Sequence, residues 1–400
     1  MRISRSLPVV AALALGLAAS AVPSAAAPAE APEPREVAVA EPVASDALRQ
    51  TPRLEVRTIK AGLDIPWDLT FLPGGGMLYT QRDRLAIRYR GPEGADRPVR
   101  IQTQGMWVSG ETGLMSILAA RDFRQTRQFF TCHGANTSTP GGHDVRVVLW
   151  RLAGNFTRAT RVEPIVTGLP ATSGRHGGCR LRFGPEGALY VGTGDAAVGR
   201  NPQSLTSGGG KVLRVKPKSG KPWKGNPFIG ADSAIKRKIY TYGHRNVQGL
   251  ALRPGGGMWS VEHGSYRDDE ANRLVKGGNY GWNPVPGYDE SVPMTDFSLP
   301  GKQIGARWKS GDPTIAPSGS VWLRGKKWGV WQGCLAVGVL GDSHLRILEF
   351  TPAGTFVRSW VPLDGPRLRS AVLGPDGNLY LTTSNGGGSD RILEVIPHRR

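Results

Sequence analysis

Beyond residue 27 no apolar stretch approaches the roughly 20 residues of a membrane span, so no spanning helix is expected there. A convincing amphipathic helix is missing too, which removes folds built on helices and leaves an all-β chain. Cysteine is scarce: three residues allow one disulfide and one leftover thiol. Cys132 ends the strand pattern at 128–131 and Cys179 begins the one after His176. These two are expected to pair, with Cys334 a buried thiol beside the apolar run 335–340. Acidic residues are outnumbered, 32 against 51 basic ones, for a net charge of +19. Nucleic acid would suit that balance, but the basic residues are scattered or sit in turns such as 211–224, without a groove-binding motif or a stacking module. No nucleic-acid partner is expected; an anionic envelope or anionic ligands account for the charge.

Glycine and proline are plentiful. With 55 Gly and 31 Pro and no collagen period, the chain reads as short strands joined by tight turns. Residues 1–27 carry Arg2 and Arg5, an apolar stretch from Leu7 to Leu17 and small residues at Ala25-Ala26-Ala27, the pattern of a signal peptide. No twin-arginine pair is present, so the chain is expected to be exported unfolded and to be secreted or held in the periplasm or cell envelope. Residues 28–52, rich in Ala, Pro and Glu, read as a disordered spacer. Residues 53–398 read as the folded domain, in a chain whose 39% hydrophobic content supports a substantial core.

From Leu54 onward one phrase recurs: an apolar residue, Pro-x-Gly, one or two residues, then a strand. It stands at Phe71-Leu72-Pro73-Gly74, Phe183-Gly184-Pro185-Glu186-Gly187, Leu252-Arg253-Pro254-Gly255 and Leu373-Gly374-Pro375-Asp376-Gly377, with degenerate copies near 119–123 and 329–333. Six such units predict an all-β, six-bladed β-propeller, the strand at 54–59 completing the blade that contains 391–396. Two β-sandwiches would also use short strands but leave the repeated wording unexplained.

Loops at one end of a propeller channel converge, so chemistry is sought where glycine-rich loops carry charge. In the stretch 173–195, His176 lies in a glycine-flanked loop ahead of a strand (Leu181, Phe183), a Pro-Glu-Gly turn and a second strand (Leu189, Val191) that ends on Asp195. A hairpin of that size sets His176 beside Asp195. An imidazole whose tautomer is fixed by a carboxylate can act as a general base. A loop histidine simply bonded to a strand-end aspartate would read the same way.

The further loops are Tyr242-Gly243-His244-Arg245-Asn246-Val247-Gln248-Gly249-Leu250, Glu262-His263-Gly264-Ser265-Tyr266-Arg267-Asp268-Asp269-Glu270, Gly277-Gly278-Asn279-Tyr280-Gly281-Trp282 and Arg367-Leu368-Arg369. In this order, after the histidine that precedes Gly-Cys-Arg-Leu, they resemble the soluble quinoprotein glucose dehydrogenase and aldose sugar dehydrogenase family. That family consists of six-bladed propellers that carry pyrroloquinoline quinone (PQQ). The resemblance runs from Gly62 to Val395. It implies oxidation of an aldose at its hemiacetal carbon to the lactone, with electrons passed to an external acceptor. His176 would be the base, Asp195 would orient it, and Arg245 would stand near the reactive quinone oxygen. Arg367 and Arg369, alternating onto one strand face, would grip the tricarboxylate, with Asn246 and Thr314 as further polar contacts.

The resemblance also implies calcium (Ca2+) held by the carbonyls of Gly264 and Ser265. A second, structural calcium is implied at the acidic run ending in Glu270, with the carbonyls near Tyr280 and with Glu290. Two positions depart from the family: Gly341 where it has lysine, and Arg175 where some members have aspartate. Weak cofactor retention, restored in Gly341→Lys, is the expected consequence. Related propellers that resemble Hedgehog-interacting proteins bind a protein or glycan partner without catalysis, and form the alternative. A calcium-dependent lactonase would need an acidic cluster that the channel loops lack.

Overall fold

The computed structural model describes residues 50–398. The expected signal peptide at 1–27 and nearly all of the expected spacer at 28–52 lie outside the described residues. Six antiparallel sheets of four strands follow one another along the chain, at 69–99, 114–170, 180–242, 247–309, 317–364 and 368–398. They form the blades of a β-propeller. The sixth takes its fourth strand from Arg53–Leu63, which pairs antiparallel with Asp390–His398 (Leu54 opposite Pro397, Val56 opposite Val395) and closes the ring. Each of the six recurrent phrases falls at the turn between the first and second strands of its blade. In the second blade that turn widens into a short helix, Phe123–Thr126.

The second strand of a blade can be apolar on both faces because each blade is sandwiched between two others. Leu189–Gly192 and Leu335–Val339 are buried throughout. Outer strands such as Arg53–Leu63 and Phe356–Asp364 are exposed or half-buried along nearly their whole length and carry charges, which discourages edge-to-edge pairing. Six hydrophobic clusters result, one at each blade junction. Phe130 and Val147 meet Leu181 and Val191 between the second and third blades, and Trp259 and Val261 meet Trp322 and Val337 between the fourth and fifth. At about 1.5–3 kcal/mol per fully buried large apolar side chain, these junctions hold neighbouring sheets together.

Two further ties cross the junctions. The Cys132–Cys179 disulfide joins the second and third blades with a Cα–Cα distance of 5.7 Å, as expected, although Cys132 lies in the middle of Gln128–Asn136 and not at a strand end. Cys334 is a buried free thiol. In the interior, Asp68 is fully buried, accepts from Ser116 (2.6 Å) and Ser370 (3.0 Å) and pairs with Arg180 at 2.8 Å. Arg180 also donates to the Gln248 carbonyl (2.8 Å) and lies 4.1 Å from the Trp67 ring centre. One ion pair thereby links the blades that begin at 69, 114, 180, 247 and 368.

Candidate active site

Antiparallel pairing of Arg180–Phe183 with Leu189–Gly192 returns the chain, so the loop before the hairpin meets the segment after it. Gly194 permits the contact, because a Cβ there would collide with the His176 carbonyl oxygen. His176 (φ 54°), Cys179 (φ 78°) and Ala196 (φ 58°) all lie in the left-handed region, so backbone strain is concentrated around this contact.

His176 Nδ1 is 2.8 Å from Asp195 Oδ1. The same buried carboxylate accepts the Ala197 N–H (2.8 Å), the Trp282 indole N–H (2.8 Å) and the Tyr288 hydroxyl (2.7 Å). With four donors around it, Asp195 acts only as an acceptor; Nδ1 therefore carries the ring proton and Nε2 the lone pair. Burial, and then the Asp195 charge, push the Tyr288 phenol well above its ordinary value, so it remains a donor. The Asp195 N–H donates to the Arg245 carbonyl (2.8 Å), and Gly194 forms a β-bridge with Asn246. That bridge sets the arginine loop beside the His–Asp pair.

Arg245 is buried, pairs with Glu290, and leaves its Nε without a partner. Arg369 is buried, donates to Gln248 Oε1 (3.0 Å) and makes no ion pair among the described residues; its Nε too is unpartnered. Burial, followed by the repulsion of Arg82, pushes its pKa down to about 9. His263 Nε2 is a third buried atom without a partner. Burial drives that ring down to about 3, with Arg369 and Arg245 adding to the shift against the pull of Glu111. Buried donors left unpaired are costly. Two arginine Nε–H groups and a neutral imidazole left without partners make a site suited to an anion.

The other expected cofactor contacts divide. Arg367 is exposed and donates to the carbonyls of Ser384 and Leu340 (both 2.9 Å). A bulge between Leu368 and Ser370 interrupts the alternation expected to put Arg367 and Arg369 on one face. Asn246 is fully buried and its side chain is spent: it accepts from Gly178 N–H (3.2 Å) and Gln248 (3.1 Å) and donates to Glu111 (2.9 Å). Its role here is to brace the site. Thr314 is half-buried, with its N–H on the Tyr266 carbonyl at 2.9 Å.

The acidic side chains of the expected metal sites take several different partners. Asp268 pairs with Lys309 (3.1 Å), while Asp269 accepts the backbone N–H groups of Gly264, Ile315 and Ala316. Glu270 lies opposite Glu262 in the next strand, and burial, then the Glu262 charge, raise its carboxyl to about 8. Glu290 is bound instead to Arg175 (2.6 Å) and Arg245. The Tyr280 hydroxyl donates to the Arg273 carbonyl (2.6 Å). No group of three or more His, Cys, Asp or Glu side chains among the described residues is arranged to hold a metal. Adjacent carboxylates diverge here because Asp269 caps a loop while Glu270 enters a strand. Acceptors do stay free: Glu270 Oε1 and Asn272 Oδ1 are buried without partners, and the Gly264 and Ser265 carbonyls take no hydrogen bond among the described residues. These suit a hard cation, whereas Glu290 is engaged by two arginines.

The Glucose / Sorbosone dehydrogenase family model matches residues 63–394. The chain belongs to this family. Aldose sugar dehydrogenase YliI of Escherichia coli is 30% identical over 357 residues, covering 86% of this chain and 93% of that protein. Quinoprotein glucose dehydrogenase B of Acinetobacter calcoaceticus is 25% identical over 417 residues, covering 83% and 85%. The PQQ-bound form of aldose sugar dehydrogenase from Streptomyces coelicolor superposes with a TM-score of 0.71 at 29% identity, covering 87% of this chain and all of that one. Membership makes the protein an oxidoreductase of the sugar dehydrogenase type.

As a Glucose / Sorbosone dehydrogenase, the chain has site residues that sequence reasoning passed over. Tyr288 lies beyond the recognised phrases, in a turn with no pattern of its own. Trp282 ends the Gly277-Gly278-Asn279-Tyr280-Gly281-Trp282 loop, but nothing in its spacing reveals an indole aimed at Asp195. Glu111, in Ser109-Gly110-Glu111-Thr112-Gly113, accepts the His176 N–H (3.3 Å) and the Asn246 amide. Burial works to raise its pKa, but the pull of His176 and the hydrogen bonds from the Asn246 amide and the His176 N–H leave it lowered. Arg175 braces Glu290 and lies 5.5 Å from the Tyr288 ring centre. At Gly341 the structure removes the expected remedy: a Cβ would lie 2.7 Å from the Ile315 carbonyl oxygen that the Gly341 N–H already binds, so Gly341→Lys would displace backbone.

Proposed function

We propose that the protein oxidises an aldose at its hemiacetal carbon to the lactone with PQQ as its cofactor, and passes the electrons to an external acceptor. The observation that carries this reading is the His176–Asp195 pair together with two buried arginines, Arg245 and Arg369, whose Nε atoms have no partner. PQQ, when bound, supplies the two-electron acceptor that no side chain provides.

His176 Nε2 takes the proton of the anomeric hydroxyl while the carbon gives up hydride, so two electrons and two protons leave the sugar and a C=O bond forms. Asp195 holds Nδ1–H and stabilises the imidazolium, and Trp282 and Tyr288 keep Asp195 in place. Arg245 and Arg369 would hold the anionic oxygens of the cofactor. Calcium, held by the Gly264 and Ser265 carbonyls, would neutralise part of the same charge. Export through the segment 1–27 is part of this reading, and the Cys132–Cys179 disulfide supports an oxidising compartment.

The test is reconstitution: PQQ and calcium are added to the purified protein, binding is followed by tryptophan fluorescence quenching, and aldose-dependent dye reduction is measured. Saturable quenching with dye reduction is expected. Without quenching at high micromolar PQQ in the presence of calcium, the reading fails.

A further inference from the structure

A second polar cavity, of about 420 Å³, opens on the second blade and shares no lining residue with the channel site. The segment 102–106 covers one side of it. Its lining includes Gln102, Gln104, His133, Arg146, Trp150 and Arg161, and contains no acidic residue. The β-bulge between Leu149 and Trp150 sets Trp150 opposite Arg161 and Leu149 opposite Glu163, so the arginine faces the cavity and Glu163 is left out of it. Arg146 is already paired with Asp144 (2.7 Å), whereas Arg161 makes no ion pair or side-chain hydrogen bond among the described residues.

His133, 4% exposed, lies at the bottom. The Trp150 indole donates to Thr131 Oγ1 (2.8 Å), and His133 Nδ1 (3.1 Å) is the one acceptor within reach of the Thr131 hydroxyl among the described residues, so that proton goes to Nδ1. The neutral ring then carries its proton on Nε2, which has no hydrogen-bond partner among the described residues. Burial, then the charges of Arg146 and Arg161, lower its pKa to about 3, so the cavity as it stands disfavours another cation. The cavity therefore combines a free guanidinium, a buried N–H donor, two primary amides at the mouth and an apolar floor of Val148 and Trp150.

We propose that this cavity is an accessory binding site for a monosaccharide-sized polyhydroxylated anion, a sugar acid or sugar phosphate, whose charge is met by Arg161 and His133 and whose hydroxyls are met by Gln102 and Gln104. The volume lies within the range of about 300–1,000 Å³ typical of small-molecule sites, and a few convergent polar groups over an apolar floor is their usual composition. This assignment does not depend on the chemistry of the channel.

The experiment titrates the full-length protein calorimetrically with D-gluconate, D-glucose 6-phosphate, neutral D-glucose and inorganic phosphate, while NMR follows the His133 ring. At least one sugar anion should bind about tenfold or more tightly than glucose and phosphate, shift the His133 signals and raise the pH at which that ring titrates. Which anion does so identifies the source. Arg161→Gln, at an exposed rim position, should weaken that binding about tenfold or more and leave aldose oxidation unchanged. Glucose or phosphate binding as tightly as the sugar anions would overturn the proposal. So would binding unchanged in Arg161→Gln, which would place the ligand in the channel, or no binding at millimolar concentrations.

Discussion

Replacing Asp195 by Asn alters one atom of the side chain, and the geometry allows its consequence to be worked through. The carboxylate receives four donors, two on each oxygen. If the amide nitrogen takes the place of Oδ2, it confronts the Trp282 indole and the Tyr288 hydroxyl; the hydroxyl can rotate to accept, the indole cannot. If it takes the place of Oδ1, it confronts the Ala197 N–H and His176 Nδ1, and the imidazole must move its proton to Nε2, the atom that has to accept. Either way one buried N–H loses its partner, which costs about 1–3 kcal/mol. Loss of an oriented base lowers turnover by about 10²- to 10⁴-fold. Thermal unfolding measures the first effect and dye-linked aldose oxidation after PQQ loading the second. The ¹⁵N shifts of the His176 ring read the tautomer with no cofactor present. In a His176→Ala background, Asp195→Asn should cost no further turnover, because the two act as one unit. Full turnover in the single variant, with the His176 proton still on Nδ1, would refute the assignment.

Three more expectations follow from buried groups. Asp68→Asn strands Arg180 in the interior and should destabilise the protein by about 3–5 kcal/mol in denaturant unfolding; a loss below 1 kcal/mol would show that the ion pair does not tie the blades. His133 titrates near 6.5 when unfolded and is lowered to about 3 in the fold, by burial first and then by Arg146 and Arg161. The folded state therefore binds fewer protons, and the stability from this site is complete above pH 6.5 and drains as pH falls towards 3. His133→Gln should flatten the acid limb of a stability-versus-pH curve, and an unaltered limb would contradict the neutral buried ring. Calcium should raise the melting temperature relative to chelator-treated protein, since Glu270 Oε1 and Asn272 Oδ1 have no other partner. Coincident melting curves would remove these atoms from consideration as ligands.

The blades were legible because each repeats one local solution: a tight Pro-x-Gly turn between two strands whose apolar residues face neighbouring sheets. The closing strand could be read for the same reason, since 54–59 had no partner within its own unit. His176 and Asp195 could be joined from sequence because a single short hairpin separates them, and hairpin geometry is local. Tyr288 and Trp282 reach the same carboxylate from a different blade, through turns that no spacing rule describes. The acidic run divides for a related reason. Three consecutive acidic letters suggest one cluster, yet loop capping turns Asp269 towards backbone N–H groups while strand pairing turns Glu270 towards Glu262. Glu290 was grouped with them by resemblance alone, and the nearby charges of Arg175 and Arg245 claim it. Sequence therefore reveals a site as far as local geometry sets it. Which partner a buried charge takes is decided by the blade packed opposite, and that depends on the whole ring having closed.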